Sequence, residues 1–313
     1  MNSKIYVAII AALVVVVGGL GVVLLQKRVA PVATLAQAED MGVVENTTYG
    51  HVHALFRIPG TGTILLGTHN GLFKSADEGK TFVDAKPGIM GEFMSFAYDA
   101  KNKVIYAGGH GLGVVKSSDN GATWQSTDIG IKGNDIHALA LNALDPNRLY
   151  AFSVDHGVFG SKDGAKSWNR IDDGPSNSSV RSFGYLATPS PMDRNMKTDA
   201  TTNIGYLWAG TGGGLYSSFA CFCGWTKDAA FADTATIYAI VPDPSNQSAM
   251  LIGTKEGIFR TGDEGKTFQK VEGDIQNMAA ITFDVSNPRI ALASTESGVL
   301  YKSQDGGMTW QKN

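Results

Sequence analysis

The chain has 313 residues, with 26 Lys and Arg against 29 Asp and Glu and a formal net charge of -3. It has no basic excess to meet a phosphate backbone, and nucleic acid is excluded as a partner class. Its 43% hydrophobic content and 38 Gly are those of a turn-dense β protein long enough for one large domain.

Ile5 to Leu25 is a run of 21 residues without a charge. As a helix it would span roughly 30 Å, the hydrocarbon thickness of a bilayer. Ala36-Gln37-Ala38 looks like a signal-peptide cleavage site, but it lies beyond Lys27 and Arg28, and the apolar run is longer than the core of a signal. The expectation is therefore an uncleaved transmembrane anchor over 1–28, a tether over 29–50 and a folded head over 51–313. Lys4 and the amino terminus balance Lys27 and Arg28, so flanking charge does not orient the span. A single-pass protein with its head on the periplasmic or extracellular side is expected from the anchor's position at the start of the chain.

From residue 75 a turn motif, Ser-x-Asp-x-Gly-x-Thr-Trp, recurs six times. Its first positions fall at 75, 117, 161, 218, 261 and 303, in steps of 42, 44, 57, 43 and 42 residues. A period near 40–50 with several short strands per unit predicts an all-β, six-bladed β-propeller. Asp77, Asp119, Asp163, Asp263 and Asp305 are the acidic residues of five copies, and the copy near Ser218, Gly224 and Trp225 has decayed. The Asp is placed to accept N–H groups of its own turn, the Gly to supply a positive φ and the aromatic to pack between blades. The motif reads as structural.

Within blade 1, His53 to Ile58 reads as the inner strand, Thr63 to Thr68 as the second and Leu72 to Ser75 as the third, with the motif leading to an outer strand. Asp145-Pro146-Asn147, Asp243-Pro244-Ser245 and Ser286-Asn287-Pro288 mark the first turns of blades 3, 5 and 6. Blade 4 carries a long polar insertion from Thr188 to Asn203 in the same turn. The sixth outer strand should be Thr309 to Asn313, so that blade 6 closes on blade 1.

Antiparallel strands sort the turns onto two faces, and all six histidines fall on one of them. His51, His53 and His137 lead inner strands, while His69, His110 and His156 sit in second turns. In the aligned repeats the place of His53 is taken by Met94, His137, Arg181, Tyr238 and Ala279 in blades 2 to 6. His53, Met94 and His137, with His69 and His110 at the rim, are the candidate metal ligands: imidazole with thioether suits copper, and imidazole with the carboxylates Asp135, Asp155, Glu256 or Glu296 suits zinc. Cys221 and Cys223 read as free thiols in the decayed turn of blade 4.

The repeats resemble the Asp-box, or BNR, motif of sialidases, sortilin-type receptors and photosystem assembly-factor propellers, in which the box is not catalytic. Gly67-Thr68-His69-Asn70-Gly71-Leu72-Phe73-Lys74-Ser75 and the leading His51-Val52-His53 resemble uncharacterised sialidase-like "glycosylhydrolase" propellers over 51–313. Phe56-Arg57-Ile58-Pro59 matches the FRIP motif of sialidases, but Pro59 opens a turn, so Arg57 falls at the far end of its strand and His53 holds the mouth. With no arginine triad and no evident carboxylate pair, the resemblance implies a non-enzymatic, membrane-anchored accessory, stabilising or assembly subunit of a larger membrane complex. Its partners would be other membrane subunits, contacted through Thr188, Met192, Arg194 and Asn203 of the insertion. A copper- or zinc-binding protein is the alternative, and a sialidase-like glycoside hydrolase ranks below it.

Overall fold

The computed structural model describes residues 48–313 apart from 177–178, 188–204, 220–221, 223, 233 and 274. They form six four-stranded antiparallel sheets, each paired in chain order, and the head is an all-β six-bladed propeller. The proposed anchor, nearly all of the tether, Thr188, Met192, Arg194 and Asn203 of the insertion, and both cysteines lie outside the described residues. Among the described residues no helix is long and apolar enough to cross a membrane.

The inner strands are Val52–Arg57, Ser95–Asp99, Ile136–Leu141, Val180–Leu186, Ile237–Asp243 and Met278–Phe283. Second strands such as Ile64–Thr68 are buried along their whole length, because each sheet is covered on both faces by its neighbours. Outer strands are two residues long in five blades, ending with the exposed Gln311–Lys312, and short outer edges offer little to a passing strand.

The recurring turn is a closed hydrogen-bond unit. Ser75 Oγ donates to Asp77 Oδ1 at 2.7 Å and accepts from Gly79 N at 2.8 Å. The same carboxylate accepts from Thr81 N at 2.9 Å and Thr81 Oγ1 at 2.6 Å. Asp119, Asp163, Asp263 and Asp305 repeat the pattern. The Thr81 hydroxyl and N–H, then the Ser75 hydroxyl, hold the Asp77 carboxyl down at about 2. In blade 4 the carboxylate is missing; Ser218 Oγ donates to Gly224 O at 2.8 Å and Trp225 Nε1 reaches Asp172 Oδ1 of blade 3 at 2.7 Å.

The apolar clusters lie between blades. Phe56, Leu65 and Leu72 of blade 1 pack with Phe93, Ile105 and Trp124 of blade 2. The ring closes in the same way, with Val52, Leu55 and Ile64 against Ala279, Leu292 and Leu300 of blade 6. Polar contacts reinforce that seam: Arg57 Nε donates to Asp284 Oδ2 at 2.9 Å, Arg57 Nη2 to Glu78 Oε1 at 3.2 Å and Lys302 Nζ to Glu78 Oε2 at 2.6 Å. Asn313 Nδ2 also donates to Glu78 O at 2.8 Å. Tyr49, assigned to the tether, packs edge-on against Phe73 at 5.0 Å and so belongs to the head.

First turns meet the recurring Ser/Asp/Gly/Thr turns on one side of the disc, as where Glu78 N donates to Gly62 O at 3.2 Å. On the other side the second turns meet the starts of the inner strands, as where His69 N donates to His51 O at 3.1 Å.

Candidate functional site at the channel mouth

Each mouth position is produced by a local irregularity in the pairing. Val52 pairs with Thr68 and Ala54 with Gly67, which leaves His53 as the extra residue of a β-bulge. The same shift isolates His137, Arg181, Tyr238 and Ala279 at the start of their strands. An extra residue bends the strand and re-aims the unpaired side chain. Met94 stands one residue ahead of its strand, where its N–H donates to Gly108 O at 2.8 Å. All six side chains line one cavity of about 100 Å³, together with His51, Val52 and Glu296.

The mouth has two chemically distinct halves. In blades 1 to 3 the His53 ring stands edge-on to His69 with centroids 4.5 Å apart, and His69 Nδ1 lies 2.7 Å from Glu92 Oε2. His110 spans the gap to the next carboxylate, with Nδ1 2.7 Å from Asp135 Oδ1 and Nε2 3.9 Å from Glu92 Oε2. His137 Nε2 is 3.2 Å from Asp135 Oδ1. Close as these contacts are, His53 Nε2, His137 Nε2 and Asp135 Oδ1 are buried without hydrogen-bond geometry to any partner. Burial, then the neighbouring imidazoles of His69 and His51, push His53 down to about 3. Burial also lowers His137, against the pull of Asp135.

Two groups of potential metal ligands result, His53 with His69 and Glu92, and His110 with Asp135 and His137, and in each the donor atoms lie within 4.8 Å of one another. Met94 lines the same cavity from blade 2. Glu92 is absent from the sequence-derived ligand set. It occupies the place of His51 and Asp135 in the repeat, two residues before the mouth position, and that column of the alignment was the signal for it. His156 belongs to neither group; its carbonyl accepts from Arg170 Nε at 2.7 Å.

The half formed by blades 4 to 6 is built on a phenol. The Arg181 guanidinium lies over the Tyr238 ring, 5.3 Å from its centroid. Burial raises the Tyr238 pKa, and the neighbouring carboxylate of Glu296 raises it further, as does Glu256. Arg57 is not part of either half, since its guanidinium is taken up by Asp284 and Glu78 at the seam.

Comparison with known proteins gives a mixed picture. Residues 70–199 match the family model described as Sortilin, neurotensin receptor 3. A xyloglucanase of Hypocrea jecorina (strain QM6a) is 26% identical over 205 residues, covering 63% of this chain and 22% of that protein. A xyloglucanase of Paenibacillus sp is 25% identical over 242 residues, covering 61% and 23%. The chain thus spans less than a quarter of the length of these curated relatives. The crystal structure of a GH74 enzyme from Niastella koreensis superposes with a TM-score of 0.59 at 16% identity, over 84% of this chain and 45% of that one, which is a likeness of fold.

These relatives correct the expectation of a non-enzymatic accessory or assembly subunit, because both curated matches are xyloglucanases. The expectation rested on the absence of an arginine triad and of a carboxylate pair within any one motif, but carboxylates need not be neighbours in sequence to share a site: Glu256 and Glu296, from the second turns of consecutive blades 5 and 6, both act on the Tyr238 phenol.

Proposed function

We propose that the chain is a glycoside hydrolase acting on a xyloglucan-type polysaccharide at the channel mouth. The observation that carries this reading is the Glu296, Glu256, Tyr238 and Arg181 group in a chain whose curated relatives are xyloglucanases. Glycoside hydrolysis uses two carboxyl groups flanking the scissile bond, one to protonate the leaving oxygen and one to serve as nucleophile or base. Glu296, partly buried and lining the same cavity as the Tyr238 phenol, takes the nucleophile or base role. Glu256, exposed on the rim turn, takes the role of the acid. The cavity below holds only a few waters at ~30 Å³ each, so the polymer lies across the rim. The apolar run from Ile5 to Leu25 supports a membrane-tethered head outside the cytoplasm, where such polymers are met.

The test is release of reducing ends from xyloglucan by the purified chain, compared with Glu296→Gln and Glu256→Gln. Cleavage by the parent, reduced at least about a hundredfold in either variant while the melting temperature holds, is the expected result. No cleavage of xyloglucan or of other β-glucans, or cleavage untouched by both substitutions, refutes the assignment.

A further inference from the structure

We propose that the half of the mouth formed by blades 1 to 3 is a zinc-class metal site, with one divalent ion held by His53, His69 and Glu92 and a second by His110, Asp135 and His137. This goes beyond the hydrolase reading, which uses the opposite half of the mouth.

The donor chemistry is the first argument. Two imidazoles and one carboxylate make a borderline-soft set that suits zinc, and three protein ligands leave a fourth position open to water or substrate. In tetrahedral zinc with bonds of ~2.0–2.1 Å the donor atoms stand about 3.3 Å apart. The donors of each group already lie within 4.8 Å, and the closest pair in each is at 2.7 Å, so small side-chain rotations bring each set onto a common centre.

Unpartnered atoms point the same way. His53 Nε2 is shielded from water without a hydrogen bond, which is rare because such an atom loses hydration and gains nothing in return, while His137 Nε2 and Asp135 Oδ1, 3.2 Å apart, are buried without hydrogen-bond geometry. A metal ion takes up their lone pairs. Two of the six ligands, His53 and His137, are bulge residues whose side chains are aimed by an interruption of the sheet.

The distribution along the chain adds a third argument. All six histidines of the 313 residues lie in blades 1 to 3, although the fold repeats the same positions in blades 4 to 6. Blade building does not call for imidazole, since Arg181, Tyr238 and Ala279 serve at the equivalent bulges. Glu92 sits where the groups meet, 2.7 Å from His69 and 3.9 Å from His110, so the two ions share an acidic neighbour that offsets their charge.

The experiment is calorimetric titration of the full chain, purified without a histidine tag and stripped with chelator, using Zn²⁺, with visible absorbance of the Co²⁺ form as a second readout. Two equivalents are expected. His69→Ala should remove one and His110→Ala the other, each weakening its site by more than the about 10- to 100-fold that outer-shell losses cause. Metal-free melting curves establish that the variants fold, and Glu92→Gln, which keeps the shape and removes the anion, replaces His69→Ala if that variant does not. Fewer than two equivalents in the parent, or a stoichiometry unchanged in the variants, overturns the proposal. Heat and absorbance do not depend on polysaccharide cleavage, so the outcome stands whether or not the chain is a hydrolase.

Discussion

Substitution of Arg57 by Met should loosen the ring at its closure. The guanidinium is 5% exposed and joins two elements that are 227 residues apart in sequence, donating to Asp284 at 2.9 Å while Asp284 is itself 4% exposed. Met keeps the aliphatic stem and leaves the Asp284 carboxylate buried with only Ser286, whose N–H and hydroxyl donate at 2.9 and 2.5 Å. Removing one partner of a buried pair costs about 3–5 kcal/mol, and because Ser286 remains bound we place this case near about 3 kcal/mol. For a domain of this size that lowers the melting temperature by roughly 6–12 °C.

The pH dependence of that loss is a stricter check. Burial pushes the Asp284 carboxyl up, but hydrogen bonds from Ser286 and Arg57 outweigh it and hold it below its ordinary value of 3.8. A carboxyl lowered by folding contributes stability that is full above its unfolded pKa and disappears as pH falls through the folded one. The gap between parent and Arg57→Met should therefore be constant near neutrality and shrink below about pH 4. Calorimetric or circular dichroism melting from pH 7 to pH 2 reads both. A variant that melts within about 1 °C of the parent at neutral pH would show that apolar packing alone closes the ring.

The carboxylates of the recurring turns should add a second acid limb: Asp77, Asp119, Asp163, Asp263 and Asp305 are all held at about 2, so melting temperature should fall as pH drops from about 4 to about 2, and a flat profile there would contradict it. Gly265→Ala places a methyl 2.4 Å from the Trp208 ring at φ +83, and should cost roughly 2–5 kcal/mol by urea unfolding, combining left-handed strain with overpacking. Blade 3 already carries Ala165 at φ 62 in that place with its methyl buried, so Ala165→Gly should change stability by less than about 1 kcal/mol. Deleting residues 309–313 removes the buried Trp310 and the Asn313 bond to Glu78, and should lower stability by at least the about 3–5 kcal/mol of a Trp truncation, read as a fall in melting temperature against the parent.

Number and order of blades were legible in the sequence because the recurring turn is local. Ser, Asp, Gly and Thr within seven positions contain every donor and acceptor the turn needs, so the motif marks each blade wherever the rest of the chain goes. The alternation of strands also placed the histidines on one face, since the faces follow from strand direction alone. Blade 4 was legible as a departure, and its missing carboxylate is replaced by bonds that include one to the neighbouring blade.

What tertiary structure alone decided was convergence. Alternation cannot say that His53, His137, Arg181, Tyr238 and Ala279 are each unpaired residues of a bulge, because the bulge is defined by the partner strand's register. Nor could it gather Glu92 with His69, or Glu296 with Tyr238, because the members of each pair belong to different blades. Arg57 is the clearest case: the sequence placed it at the far end of its strand, but its partner Asp284 lies in blade 6 and meets it only when the sixth sheet returns to the first. Short-range hydrogen bonding is written within a repeat, whereas the chemistry of the mouth arises between repeats, and closing the ring is what brings them together.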